Sequence, residues 1–332
     1  MSTSTAVSTL EVDLTPGRPP LVHVSPLGDA LGWAEVHGAA LRAVVAEHGS
    51  VLVRGLGLSD AAAAGAVFER LGTGLMTERE GFARRHRYAD GVYSSASWAA
   101  DQPMCMHHEL SYASEPPGLL LFACLQAPTA GGATGVADAA AVLDALPADL
   151  VARFERDGWL LTRRYGGEMG ASLTDAFGTD DHDAIEAYCR ANAIDLAWQP
   201  DGGLRTRQRR SAVVRHPVSG RRCWFNQVAF LSVWTLDPDV REFLLDEYGA
   251  DGIPFDTGFG TGEPVGEDVV RLLNETYEAL TTHEPWQGGD LMLVDNVRCA
   301  HSREAYQGPR EVLVAMTDPV RLPGPATEVT GG

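Results

Sequence analysis

Residues 104–113 read MCMHHELSYA and set His107, His108 and Glu109 side by side in a chain whose other histidines are scattered. If this stretch is a β-strand, successive side chains alternate faces, so His107 and Glu109 share one face and His108 looks to the other. A metal here would be held by His107 and Glu109, not by His108. Such a His-x-carboxylate pair needs one more ligand to make the facial triad of a non-haem iron site, which leaves coordination positions open. The best third ligand is His301 in DNVRCAHSREAYQGPREV (295–312), which follows the strand-like DLMLVDN (290–296) and precedes another strand. His-x-Glu alone is common by chance, so the third partner carries the weight.

The flanking sequence decides what kind of fold carries these ligands. Apolar residues at helical spacing predict helices in DALGWAEVHGAALRAVVAEHG (29–49), DAAAAGAVFERLG (60–72), DAAAVLDALP continuing into ADLVARFERDG (138–158) and DDHDAIEAYCRANA (180–193), with two more at 237–249 and 267–283. Between them lie short apolar runs bounded by Gly, Pro, Asp or Asn, as strands usually are: SVLVRGLGL (50–58), GLLLFACLQAP (118–128), GWLLTRRY (158–165), SAVVRHP (211–217), RCWFNQVAFL (222–231), GDLMLVDNVRCAH (289–301) and REVLVAMTDP (310–319). Strands and helices do not alternate one for one, which disfavours a doubly wound parallel sheet. A mainly β protein, with antiparallel strands sandwiched and flanked by helices, fits better.

The chain has 332 residues and 45% hydrophobic content, enough to bury a full core. Residues 1–20, rich in Ser, Thr and Pro, read as a flexible N-terminal arm, and 21–332 as a single domain. A formal charge of −19 argues against nucleic acid or an anionic membrane as partner. Small molecules or proteins are expected instead, and a homo-oligomer is left open. Cys105, Cys124, Cys189, Cys223 and Cys299 are odd in number and widely spaced, with no zinc or disulfide pattern. With no signal-peptide pattern at the start, the expected location is cytoplasmic.

The order of HHE (107–109), GGAT (131–134), DNVRCAHSR (295–303) and GPR (308–310) resembles the taurine dioxygenase (TauD/TfdA-like) family of iron(II)- and 2-oxoglutarate-dependent oxygenases, over roughly residues 50–320. Within it, MHHELSY, LRTRQ, HPVSG and WFNQ look most like the SyrP-like amino-acid hydroxylases of peptide-antibiotic pathways. The resemblance implies a double-stranded β-helix, the jelly roll of clavaminate synthase-like proteins, with Fe(II), 2-oxoglutarate and O2 as cofactors. It makes His107, Glu109 and His301 the iron ligands, and it assigns Thr134 and Arg310 to the distal carboxylate of 2-oxoglutarate. A dicarboxylate buried beside a metal independently calls for a cationic fork, and arginine offers a planar one. The second ligand is more often Asp in the family; Glu109 still supplies the anionic oxygen. Its carboxylate also argues against the halogenating relatives, which carry a small residue there. Val314 stands where sulfonate-oxidising members have an arginine, so a taurine-like substrate is not expected.

GGLRTRQRRSAVVRHPVSGRRCWFNQ (202–227) concentrates seven arginines in an acidic protein. Such runs are mostly solvated faces or weak surface ion pairs. The sharper reading has Arg205 or Arg207 grip a substrate α-carboxylate; a third has the outer arginines dock an acyl or peptidyl carrier domain presenting a tethered amino acid. Asn226 is assigned to the co-substrate and Gln227 to the substrate, with structural roles left open. Tyr93, Ser95 and Trp98, in YSSASWAADQP (93–103), are expected to lie over the pocket. A zinc hydrolase using the same ligands would leave Thr134 and Arg310 without a task, and a non-catalytic relative would be expected to have a broken triad. The expected reaction is hydroxylation of an amino acid or a derivative, with desaturation, epoxidation or ring closure as variants.

Overall fold

The computed structural model describes residues 10–25, 28–166 and 170–322. Its centre is the strand Pro117–Gln126, whose nearly continuous apolar run reflects burial on both faces. Leu119, Leu121 and Ala123 point to one side and Leu120, Phe122 and Cys124 to the other, each set in a different core cluster. This strand lies in a seven-stranded sheet of order Leu21–His23, Ser50–Arg54, Leu291–Asp295, Pro117–Gln126, Glu311–Pro319, Val92–Ser94, Arg87–Ala89. Only the first pair in that order is parallel.

The helices Ala30–His48 and Ala61–Leu71 cover the outer face of this sheet. The first buries Ala34, Gly38, Leu41 and Val45, a stripe at spacings of three and four. Asp29 caps its start by accepting from the Gly32 amide, and Gly49 ends it at φ 88°, a conformation that admits the chain straight into the next strand. Against the inner face packs a three-stranded antiparallel sheet, Met104–His107, Cys299–Arg303 and Thr134–Asp138. The functional residues lie between these two sheets. A four-stranded antiparallel sheet, Asp195–Trp198, Leu204–Arg210, Trp159–Tyr165 and Phe255–Phe259, forms a further layer.

Several expectations need correction. The protein is mixed α/β rather than mainly β: among the described residues, eight α-helices accompany strands spread over several sheets. The run 138–158 makes two helices, Ala139–Ala145 and Ala148–Asp157, parted at Leu146 and Pro147, where proline has no amide to continue the first. Of 222–231 only Arg222–Trp224 is a strand, and 289–301 splits into two strands. Leu204–Arg210, read as a charge run, is a full strand because Leu204, Thr206 and Gln208 alternate inward. Of the expected N-terminal arm, residues 1–9 lie outside the described residues. Leu10 and Val12 pack against the outer core, and Asp13 bridges to Leu21.

Candidate active site

His107 is the last residue of its strand, and Cys299–Arg303 pairs alongside so that His301 lies opposite it, with ring centroids 4.2 Å apart. Glu109 is not in the strand. The chain turns after His108, with Leu110 at φ 51°, and the carboxylate reaches the same point by that turn rather than by alternation. Ligand atoms of His107, Glu109 and His301 all lie within 4.8 Å of one another, and all three residues are buried.

The protonation states suit metal binding. His107 Nδ1 lies 2.9 Å from the Cys105 carbonyl, which can only accept, so Nδ1 carries the proton and Nε2 presents its lone pair. Burial pushes the pKa of His107 down, against the opposing pull of Glu109, and that of His301 well down. Both rings are therefore neutral ligands. His301 Nδ1 is buried without a hydrogen-bond partner, and its Nε2 lies 3.7 Å from Glu109 Oε2. His108 faces away as expected: its Nδ1 donates to the Asn296 carbonyl at 2.6 Å, and burial lowers its pKa to about 4.

The triad lines a cavity of about 40 Å³ shared with Thr134, Arg310, Ser95, Arg85 and Arg303. Thr134 Oγ1 accepts from the Trp286 indole at 3.2 Å. Arg310 donates to the Gly132 carbonyl and to Ser95 Oγ, and no carboxylate pairs with it among the described residues. Burial, with Arg303 nearby, lowers its pKa to about 10. A buried guanidinium without an anion is costly, so this end of the cavity is built for one. The donor set thus fits both a divalent metal and a carboxylate-ended co-substrate.

The other assigned residues divide. Ser95 reaches the cavity, though onto Arg310. Tyr93 lines a neighbouring cleft, its hydroxyl accepting from the Glu78 amide. Trp98 packs on Phe82 and Phe230, and Phe230 in turn stacks on His107 at 4.3 Å. The structure does not bring Asn226 to the site: its amide donates to the Ala212 carbonyl and accepts from Val228. Gln227 donates to the His108 carbonyl and so braces the ligand turn from behind. Arg205 and Arg207 flank the inward Thr206 and therefore project to the outer face of their sheet; neither lines the metal cavity or the cleft.

Three residues escaped the sequence reading. Arg85 donates from Nη2 to Glu109 Oε2 and from Nε to Glu78 Oε1, each at 3.0 Å, and is nine-tenths buried. Its only signal is the basic run RRHR (84–87), easily taken for surface. Asn296 locks the backbone of Glu109, and Arg303, two residues after His301, holds the carbonyls of Trp98, Ala99 and Gln102.

Comparison with known proteins places these observations. The chain is 34% identical over 277 residues to the dapdiamide synthesis protein DdaC of Enterobacter agglomerans, covering 83% of this chain and 84% of that one. It is 29% identical over 290 residues to a clavaminate synthase-like protein of Arabidopsis thaliana, covering 83% of each. Its fold is similar to that of PvcB from Pseudomonas aeruginosa (TM-score 0.56, 15% identity, 97% of this chain and 99% of that one). It is similar as well to that of a taurine dioxygenase from Burkholderia xenovorans (TM-score 0.54, 17% identity, 96% and 92%). The family described as "Taurine catabolism dioxygenase TauD, TfdA family" matches residues 16–317. With this match and its buried triad, the chain belongs to the TauD/TfdA family and is an iron(II)- and 2-oxoglutarate-dependent dioxygenase.

Proposed function

We infer that this enzyme hydroxylates an unactivated carbon of an amino acid or an amino-acid derivative in a biosynthetic pathway. Two observations support a biosynthetic substrate: the relative at 34% identity is a dapdiamide synthesis protein, and PvcB is an oxygenase of an isonitrile synthetic pathway. Val314, with its side chain in the apolar core, leaves no cation at the position of the sulfonate-binding arginine.

The observation that carries the site assignment is the buried set of His107, Glu109 and His301 with an anion-free Arg310 on the same cavity. In this reading the triad holds Fe(II), and Arg310, kept in place by Gly132 and Ser95, takes the distal carboxylate of 2-oxoglutarate beside Thr134. Bound iron and 2-oxoglutarate together supply the oxidising power that inserts one oxygen atom of O2 into a C–H bond, while the co-substrate leaves as succinate and CO2. The protein's own part is to keep the site dry and to hold the C–H bond in line. Phe82, Phe230 and Phe255 form an aromatic wall suited to excluding water.

The two facing sheets that enclose the triad fit a double-stranded β-helix, and the described residues from 21 onward are proposed to form one domain, with 323–332 outside the described residues. Five free cysteines, four of them buried, agree with a reducing, cytoplasmic setting. Among the described residues no helix is long and apolar enough to cross a membrane.

The test is succinate formation by iron-loaded protein with 2-oxoglutarate and air, screened against free amino acids and against amino acids loaded on carrier domains. Stimulation by one of them, with mass gain of one oxygen, is the expected result. Turnover stimulated by none would discard the amino-acid class, and product lighter by two hydrogens would replace hydroxylation by desaturation.

A further inference from the structure

Beside the metal cavity lies a second, larger one of about 640 Å³, in the range of small-molecule sites. Arg85 lines both. The larger cleft runs between the loop 77–87 and the strands Trp159–Tyr165 and Phe255–Phe259. Among the described residues its wall carries five arginines, Arg84, Arg85, Arg87, Arg163 and Arg164, against two carboxylates, Glu78 and Asp175, and Arg87 pairs outward with Asp90. This local positive excess stands in a protein of net charge −19, and a concave wall with an excess of one sign draws ligands of the other.

The arginines are not equivalent. Arg163 is buried and spends its guanidinium on the carbonyls of Glu80 and Gly81, shaping the loop. Arg84 and Arg164 stand nearer the mouth, paired with Asp175 and Asp201. Arg85 is at the floor, between Glu78 and Glu109. A metal held by Glu109 would share the carboxylate's charge and weaken its hold on the Nη2 donor of Arg85. A buried charge in that position needs a replacement acceptor. The open side is the cleft.

We propose that this cleft is the substrate site, and that Arg85 reads a free carboxylate on the substrate, with the arginine-rich mouth drawing the anion in. The proposal rests on the functional reading above and narrows it to a small free acid. An amino acid tethered as a thioester has no free carboxylate at its acyl end. The phosphate of a carrier arm lies a whole arm's length from the reacting group, out of reach of a floor residue that touches a metal ligand.

The test is calorimetric binding to protein loaded with Mn(II) and 2-oxoglutarate, in which no oxidation is required. The probes are free L-amino acids, their N-acetyl forms and the matching α-carboxamides. At least one acid is expected to bind about tenfold or more tightly than its amide. Arg85→Gln should bring acid affinity down to amide level while the amide is unchanged. Because Arg85 touches Glu109, a second variant, Arg84→Gln with Arg164→Gln, leaves the triad untouched. It should weaken the acid severalfold and flatten the salt dependence of its binding. Equal binding of acid and amide, no acid bound, stimulation by carrier-loaded amino acids alone, or unchanged acid affinity in both variants would each overturn the proposal. Mn(II) and 2-oxoglutarate binding are measured first: their failure would take down the functional reading itself, whereas their success without acid preference takes down only this inference.

Discussion

Asn296 and Glu109 exchange two hydrogen bonds: Asn296 Oδ1 accepts from the Glu109 amide at 2.8 Å, and Asn296 Nδ2 donates to the Glu109 carbonyl at 2.9 Å. Nδ2 also donates to the Pro117 carbonyl at 2.8 Å, and the Asn296 carbonyl accepts from His108. Asn296 sits in the turn just before the strand that carries His301. One fully buried side chain thus ties both ligand-bearing segments to the central strand.

Replacing Asn296 by Ala should therefore cost twice. Buried backbone groups left without partners cost about 1–3 kcal/mol each, so with three of them left unpaired unfolding in urea should shift by about 3 kcal/mol or more. Metal affinity should fall by about 10-fold or more, as for other residues that orient ligands. A stable variant with unchanged Mn(II) affinity would show that the ligand turn holds itself.

His301→Ala should abolish metal binding and iron-dependent succinate formation, because a two-ligand site lacks one face of the triad. His108→Ala should retain metal binding and lose about 1–2 kcal/mol of stability from the Asn296 hydrogen bond and its packing. Metal titration of both variants separates ligand from brace. Retained succinate production in His301→Ala would sink the assignment.

Arg310→Gln should move two quantities in opposite directions. The KM for 2-oxoglutarate should rise by about 10- to 100-fold, the worth of a charge-assisted pair. Stability of the protein without co-substrate should stay level or rise, since a buried cation that no carboxylate balances has been removed. A loss of stability together with unchanged KM would make Arg310 structural.

Acid sensitivity should depend on Asp318. Burial works to raise its carboxyl pKa, but hydrogen bonds from Arg42 and Thr73 outweigh that and hold it below the usual value of 3.8. A carboxylate depressed on folding contributes stability that is present above its unfolded pKa and is lost as pH falls through the folded one. Stability measured from pH 5 downward should fall more steeply in the wild type than in Asp318→Asn. That variant should lose about 1 kcal/mol at neutral pH. Parallel curves would exclude Asp318 as a contributor.

His107, Glu109 and His301 were legible from ligand type and order, and Thr134 and Arg310 only through the resemblance that GGAT and GPR carry; the structure gathers all five on one cavity. The physical warrant for the first pair was only half right, since alternation ends at His107 and a turn delivers Glu109. Arg205 and Arg207 lie away from the cavity for the converse reason. Their segment does alternate, and alternation sends them outward.

Sequence alone pointed to the metal chemistry, because ligand types and their order along the chain can be read and matched to a family without knowing the packing. It also determined most of the elements, because apolar periodicity reports which face is buried. The tertiary structure decided which arginines meet the site. Arg85 and Arg163 are brought to the cleft from segments far apart in the chain, and burial with carboxylates or carbonyls distinguishes them from the solvated arginines that look alike in sequence.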